Sequence, residues 1–288
     1  MAISYPGILR SMTRRHGQLL PAHKKRRPLF ATSRMGELGR KLACAVVLLL
    51  SAGNAGSADL IVSAAASLTN AFTAIGEAFE QAYPDTTVAM NFAGSGQLLQ
   101  QIARGAPVDV FASADQITMN RAEQGNLIRS ASRRDFVRNE LVLIAPAGSN
   151  LKISKLADLQ SGKVQRIAIS NPGSVPVGHY SQLSLQAAGL WEALAEKTIN
   201  TQHVRQSLDY VARGEVDAGF VYATDAHVMP GKIRVLMQVP TADPITYPIA
   251  VVADSRQAAA AERFVTFVHS GQGQAILRQF GFGAPDTD

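Results

Sequence analysis

The chain has 288 residues, 47% of them hydrophobic and 17% charged, with 28 Lys and Arg against 22 Asp and Glu for a net charge of +6. Such a length suggests about two domains, and the apolar content is ample for a core. The charge is unevenly spread: residues 1–58 hold ten basic side chains and one acid, leaving 18 basic and 21 acidic residues beyond them, a net −3 that removes the basic surface on which nucleic-acid affinity depends.

Taken in chain order, residues 1–34 are polar and basic, and Met35 is the expected start. Arg40 and Lys41 then precede an apolar run at 42–50 (LACAVVLLL) and a small-residue exit at 51–58 (SAGNAGSA). A charged start, a short apolar core and a small-residue exit make a cleavable export signal. The run is too short to cross a membrane, which takes about 20 apolar residues. Cleavage after Ala58 would release a periplasmic protein beginning at Asp59. Cys44, the single cysteine, lies inside the apolar run rather than after it, so lipid attachment is not expected there. The mature chain then has no disulfide, thiolate nucleophile or cysteine metal site.

Residues 59–64 (DLIVSA) form a buried first strand. A helix over 67–83 places Leu68, Ala71, Phe72, Ile75 and Phe79 on one face, and Pro84 ends it. A strand at 86–92 (TTVAMNF), a helix at 95–104 and a strand at 108–112 (VDVFA) follow. This β-α-β-α-β order implies a parallel sheet covered on both faces. A second unit begins near Glu140, with strands at 141–145 (LVLIA), 166–170 (RIAIS) and 218–222 (AGFVY), and helices at 181–188, 191–197 and 204–213. A long strand at 245–252, interrupted by Pro248, and helices at 258–269 and 271–280 close the chain. These last elements have no sheet of their own and return to the first unit. The expectation is an α/β protein of two lobes, 59–139 with 226–288 and 140–225, each a mostly parallel sheet flanked by helices. A ligand cleft lies between them.

Ligands in such folds sit beyond the carboxyl ends of strands, where helix N-termini offer free N–H groups and partial positive charge. Five junctions carry suitable residues. Ser67 stands where the first strand yields to its helix, and by position alone its hydroxyl is an N-cap. Ser95 opens the second helix between Gly94 and Gly96, either as a cap or as a donor on a backbone that a ligand can approach. Pro176 fits a first helical turn, leaving the N–H groups of Val177 and Gly178 free. His203-Val204-Arg205 starts another helix. Tyr222 ends a buried strand with a phenol that needs a partner.

Nothing matches a phosphate loop or a G-x-S-x-G nucleophile elbow. An S-x-x-K match at 149–152 sits in a turn without partner motifs, which leaves a secreted hydrolase weakly supported. His179, His203, His227 and His269 are not at metal-ligand spacing. An effector domain of a transcription regulator lacks a preceding helix-turn-helix.

The segments AAASLTNA (64–71), FAGSG (92–96), GAPVDVFASADQITM (105–119), VPVGHY (175–180), FVYATD (220–225) and YPIAVV (247–252) follow one another in a telling order. In sequence and spacing the chain resembles the periplasmic molybdate-binding proteins of ABC transporters over essentially all of 59–283. The resemblance implies a type II periplasmic-binding-protein fold and no enzymatic activity. It implies a monomer that captures molybdate, or the equally sized tungstate, for the permease subunits of an inner-membrane importer, without a cofactor. Sulfate or another tetrahedral oxyanion is the alternative ligand. The resemblance implies five contact residues: Ser67 and Ser95 through hydroxyl and backbone hydrogen bonds, Val177 and Val204 through backbone N–H groups, and Tyr222 through its hydroxyl. Val177 stands where the family often has alanine, and Gly94 and Gly96 stand where it often has serine.

Overall fold

The computed structural model describes residues 58–285. The signal segment, the Met35 start and Cys44 lie outside the described residues. Among these, no helix is long and apolar enough to cross a membrane.

The first lobe is built on β1 (Ala58–Ala65), β2 (Thr86–Ala93), β3 (Val110–Ala112), β4 (Arg134–Asn139) and β10 (Ile245–Val251), in the order β2-β1-β3-β10-β4. β1 runs parallel to β2 and β3, whereas β10 runs antiparallel to both β3 and β4. One strand in five is therefore reversed, and the mostly parallel sheet expected from the sequence is present. β1 is largely apolar because it is buried on both faces, with Leu60, Val62 and Ala64 fully enclosed on one and Ser63 and Ala65 buried on the other. Helix α1 (Thr69–Ala82) buries Ala71, Phe72, Ile75 and Phe79, a helical stripe aimed at that sheet. Phe79 meets Phe264 and Phe267 edge-on at 5.2 and 5.6 Å. These rings come from the closing helix α6 (Ala258–His269), which is how the C-terminal segment is fastened to the first lobe. Each such buried side chain contributes about 1.5–3 kcal/mol over leaving it exposed.

Pro248 does not interrupt β10. The strand continues through it with a register shift against β4 between Tyr247 and Pro248. A bulge absorbs the missing N–H and re-aims the neighbouring side chain. That neighbour is Tyr247, which becomes important below.

The second lobe carries β5 (Leu141–Pro146), β6 (Ile167–Ser170), β7 (Thr198–Thr201), β8 (Ala218–Tyr222) and β9 (Ile233–Gln238), in the order β7-β6-β8-β5-β9. Here β5 alone runs against its neighbours. The sequence-based boundary at 226 needs correction: β9 pairs with β5 in the second sheet. The chain returns to the first sheet between Gln238 and Ile245, and the first crossing lies between Asn139 and Leu141.

Several elements escape the sequence pattern, among them three strands and a helix. β4, β7 and β9 each lie at a sheet edge and mix polar with apolar residues. Helix α3 (Gln116–Gln124) has a weak apolar stripe and relies on Asp115, whose carboxylate accepts the Thr118 N–H at 3.0 Å. The expected helix at 191–197 is a 3-10 helix, Glu192–Lys197.

Candidate functional site

All five sequence-selected residues line one cavity between the lobes, together with Gly94 and His203. The enclosed space is far below the roughly 300–1,000 Å³ of pockets for organic ligands, which leaves room for no more than a small ligand.

Ser67 lies in a 3-10 turn, Ala66–Leu68, between β1 and α1. Neither that turn nor α1 has a side-chain N-cap. The capping role expected from its position is therefore not what Ser67 performs. Its hydroxyl lies 3.0 Å from the Tyr247 hydroxyl in a buried pair. Ser95 is likewise not the cap of its helix, α2 (Ser95–Ala103): Gly94 occupies that position. The buried Ser95 Oγ accepts the Ala114 N–H at 3.1 Å, which leaves the serine proton to be donated.

The second lobe supplies helix starts. In α4 (Pro176–Ala187), Pro176 takes the first position without a side-chain cap above it. The N–H groups of Val177 and Gly178 belong to the first turn, which has no intrahelical acceptors. Gly178 is required for packing, since a Cβ there would stand 2.0 Å from the Ser170 carbonyl oxygen. In α5 (Val204–Ala212), His203 is the N-cap, and its Nδ1 accepts the Gln206 N–H at 3.2 Å. An accepting Nδ1 is unprotonated, so the neutral ring carries its proton on Nε2. Burial holds the His203 pKa below the usual histidine value. Val204 opens this helix with its N–H at the cavity.

Tyr222 ends β8 and is almost wholly enclosed. Its hydroxyl lies 3.5 Å from the Ala114 carbonyl oxygen, at the edge of hydrogen-bonding distance. Burial pushes its pKa well above the ordinary phenol value, so the group remains a proton donor. Its ring stacks edge-on against Tyr247 at 5.6 Å.

The lobes touch around the cavity. The Gly96 N–H donates to the Ser174 carbonyl at 3.0 Å, and Gln97 Nε2 donates to Gln202 Oε1 at 3.2 Å. A Cβ on Gly96 would stand 2.7 Å from that same Ser174 oxygen, and one on Gly94 would stand 3.0 Å from Val175 Cγ2. The two departures from serine thus have a cause in the close approach of the second lobe.

Sequence reasoning missed four residues around the site. Arg205 extends from α5 across the cleft, with Nη1 2.8 Å from Asn70 Oδ1 and Nη2 3.2 Å from the Ser67 carbonyl oxygen. Its Nε lies 2.6 Å from Oδ1 of the fully buried Asp225. Burial pushes Asp225 up to about 6, against the lowering pull of Arg205. Arg205 follows Val204 directly, and Asp225 closes the FVYATD segment, but nothing in their spacing shows that they meet. Asn139 and Tyr247 are the other two, and they join through a hydrogen bond of 3.1 Å. Among the described residues, no group of three His, Cys, Asp or Glu is placed to hold a metal ion.

Residues 60–283 match the model of the family described as bacterial extracellular solute-binding protein. The molybdate-binding protein ModA of Escherichia coli K12 is 34% identical over 242 residues, covering 80% of this chain and 92% of that protein. The protein of the same name from Mycobacterium tuberculosis H37Rv is 35% identical over 231 residues, covering 80% and 86%. The solved periplasmic molybdate-binding protein of Azotobacter vinelandii superposes with a TM-score of 0.70 at 25% identity, over 79% of this chain and all of that one. With the two-lobed α/β architecture already described, these matches establish that the chain belongs to the bacterial extracellular solute-binding protein family.

Proposed function

We propose that the protein captures molybdate, with tungstate as an equivalent ligand, in the periplasm and delivers it to the permease subunits of an ABC importer. One observation carries the reading: hydroxyls and helix starts from both lobes converge on one small cavity. Molybdate at neutral pH is a dianion with acceptors only, and a wall of donors satisfies it. Hydrogen phosphate keeps a proton that would meet no acceptor, which costs about 1–3 kcal/mol, or roughly 5- to 150-fold in affinity. The names of the relatives point to the same ligand.

The protein acts as a carrier monomer rather than a catalyst, and no cofactor takes part. Export rests on the basic start, apolar core and small-residue exit of residues 40–58. Each hydrogen bond to the charged ligand is worth about 1.5–3 kcal/mol. About six such bonds, after the costs of association, correspond to micromolar to nanomolar binding.

The test is calorimetry on residues 59–288 with molybdate, tungstate, sulfate, phosphate and common amino acids. Molybdate and tungstate should both bind at micromolar concentration or below. Silence toward both, or an equal response to phosphate, refutes the molybdate reading. A response to sulfate alone transfers the site to that anion.

A further inference from the structure

We propose that Asn139 and Tyr247 set the direction of the Ser67 hydroxyl, holding it as a proton donor toward the cavity and so excluding protonated oxyanions. This rests on the oxyanion reading above and names two positioning residues for it. Asn139 ends β4 at the first crossing between lobes, and Tyr247 lies in β10 just after the second.

The argument follows hydrogen atoms from a fixed end. The Glu140 backbone N–H donates to Asn139 Oδ1 at 2.9 Å, and a backbone N–H cannot reverse its role. The amide is thereby oriented, and its Nδ2 must donate. It does so twice, to Thr224 Oγ1 at 2.8 Å and to the Tyr247 hydroxyl oxygen at 3.1 Å. Tyr247 is fully buried, so its own proton needs an acceptor inside the protein. Among the described residues, the Ser67 Oγ at 3.0 Å is the partner placed to take it. Were Ser67 to donate instead, the phenol would accept twice and leave a buried O–H unpaired, the costlier arrangement. The favoured chain therefore runs from Glu140 N–H through Asn139 and Tyr247 to Ser67. The Ser67 proton is left to point into the cavity, where Ser67 is part of the lining. Burial also raises the Tyr247 pKa well above the ordinary phenol value, which keeps the chain's middle proton in place.

Two substitutions act on the chain in different ways. Asn139→Asp replaces an amide donor with a carboxylate acceptor. Tyr247 then donates to residue 139, Ser67 donates to Tyr247, and Ser67 Oγ turns its lone pairs to the cavity. Tyr247→Phe keeps the ring that packs edge-on against Phe136, Tyr222 and Phe282 but frees the Ser67 hydroxyl to rotate.

The measurement is competition of sulfate and of phosphate against molybdate at pH 8, for the full mature chain and both variants. Sulfate and hydrogen phosphate match in size and charge and differ by one proton, so their ratio isolates proton direction from packing damage. The wild type should favour sulfate. Tyr247→Phe should move the ratio toward one, and Asn139→Asp should shift it toward phosphate by at least about ten-fold, the factor that 1.4 kcal/mol represents. Loss of both anions in equal proportion in Tyr247→Phe shows a merely structural role and overturns the proposal. Tyr247→Phe alone decides the matter if Asn139→Asp does not fold. A wild type that ignores molybdate refutes the oxyanion reading. A wild type that binds it, with variants of unchanged ratio, refutes the relay alone.

Discussion

Removing the Arg205 side chain should cost more stability at pH 8 than at pH 5. Asp225 is fully buried, whereas the Arg205 side chain is 17% exposed. Asp225 Oδ2 also accepts the Tyr222 N–H at 3.3 Å, and among the described residues Arg205 is the cation paired with this carboxylate. Taking away one partner of a buried pair typically costs about 3–5 kcal/mol, because the other charge is left uncompensated. Even with Arg205 present, burial raises Asp225 from 3.8 to about 6. The folded protein therefore binds this proton more tightly than the unfolded chain does. Stability is lost as pH rises through that interval, and the loss is complete above about 6, on the order of 3 kcal/mol for this group. Without Arg205 the folded value climbs further and the loss extends to higher pH. Arg205→Met, which keeps the apolar stem, should thus lower the ligand-free unfolding free energy by about 3–5 kcal/mol at pH 8 and by clearly less at pH 5. Urea titration followed by circular dichroism measures both. Asp225→Asn should cost less than Arg205→Met, since the guanidinium can reach water. A loss below 1 kcal/mol, or an equal loss at both pH values, would show that the pair is not an uncompensated-charge problem.

Four further substitutions probe the cavity and its rim. Ser67→Ala and Ser95→Ala should each weaken molybdate binding roughly ten- to hundred-fold by calorimetry, the worth of one hydrogen bond to a charged group; wild-type affinity in both would show that the hydroxyls do not reach the ligand. Ser95→Ala should also lose about 1–3 kcal/mol in urea, because the buried Ala114 N–H loses its acceptor. In Gly96→Ala the new methyl would stand 2.7 Å from the Ser174 oxygen, so affinity should fall at least about ten-fold, a displacement worth 1.4 kcal/mol or more, with the ligand-free melting temperature nearly unchanged. Val177→Ala should cost about 1.5 kcal/mol of stability for two buried methyl groups while leaving affinity within about three-fold, since a backbone donor is kept; a larger change in affinity would mean that the side chain shapes the pocket.

Much of the fold was legible because it follows from strong periodic signals. β8 is a continuous apolar run, β1 is apolar but for Asp59 and Ser63, and α1 carries its stripe at helical spacing. The lobe boundary was misplaced because β9 is an edge strand whose residues are mostly half-buried, so its alternation is blurred. The five candidate contact residues all stand at strand ends or helix starts, where local chemistry narrows residue type, and the family resemblance chose among the residues at those junctions. Their hydrogen-bond roles could not be found that way. Ser67 looks like a cap from its neighbours, but its partner Tyr247 is 180 residues away. Arg205 and Ser67 are similarly remote, separated by 138 residues, and only the closing of one lobe on the other brings them together.

The division of the site between lobes has a mechanical consequence. Ser67 and Ser95 belong to the first lobe, whereas Val177, Val204 and Tyr222 belong to the second. Neither set alone encloses a tetrahedral anion. An anion held by both therefore binds the closed arrangement better than an open one, and that difference is the energy available to hold the lobes together. Arg205 adds a contact between lobes that needs no ligand, reaching Asn70 and the Ser67 carbonyl from α5. Its charge is largely answered by Asp225, so it fastens the lobes without becoming a strong counter-ion for the anion. A site so arranged can discriminate by donor geometry and still let the ligand go once the two lobes are drawn apart, because separation removes one lobe's hydrogen bonds together.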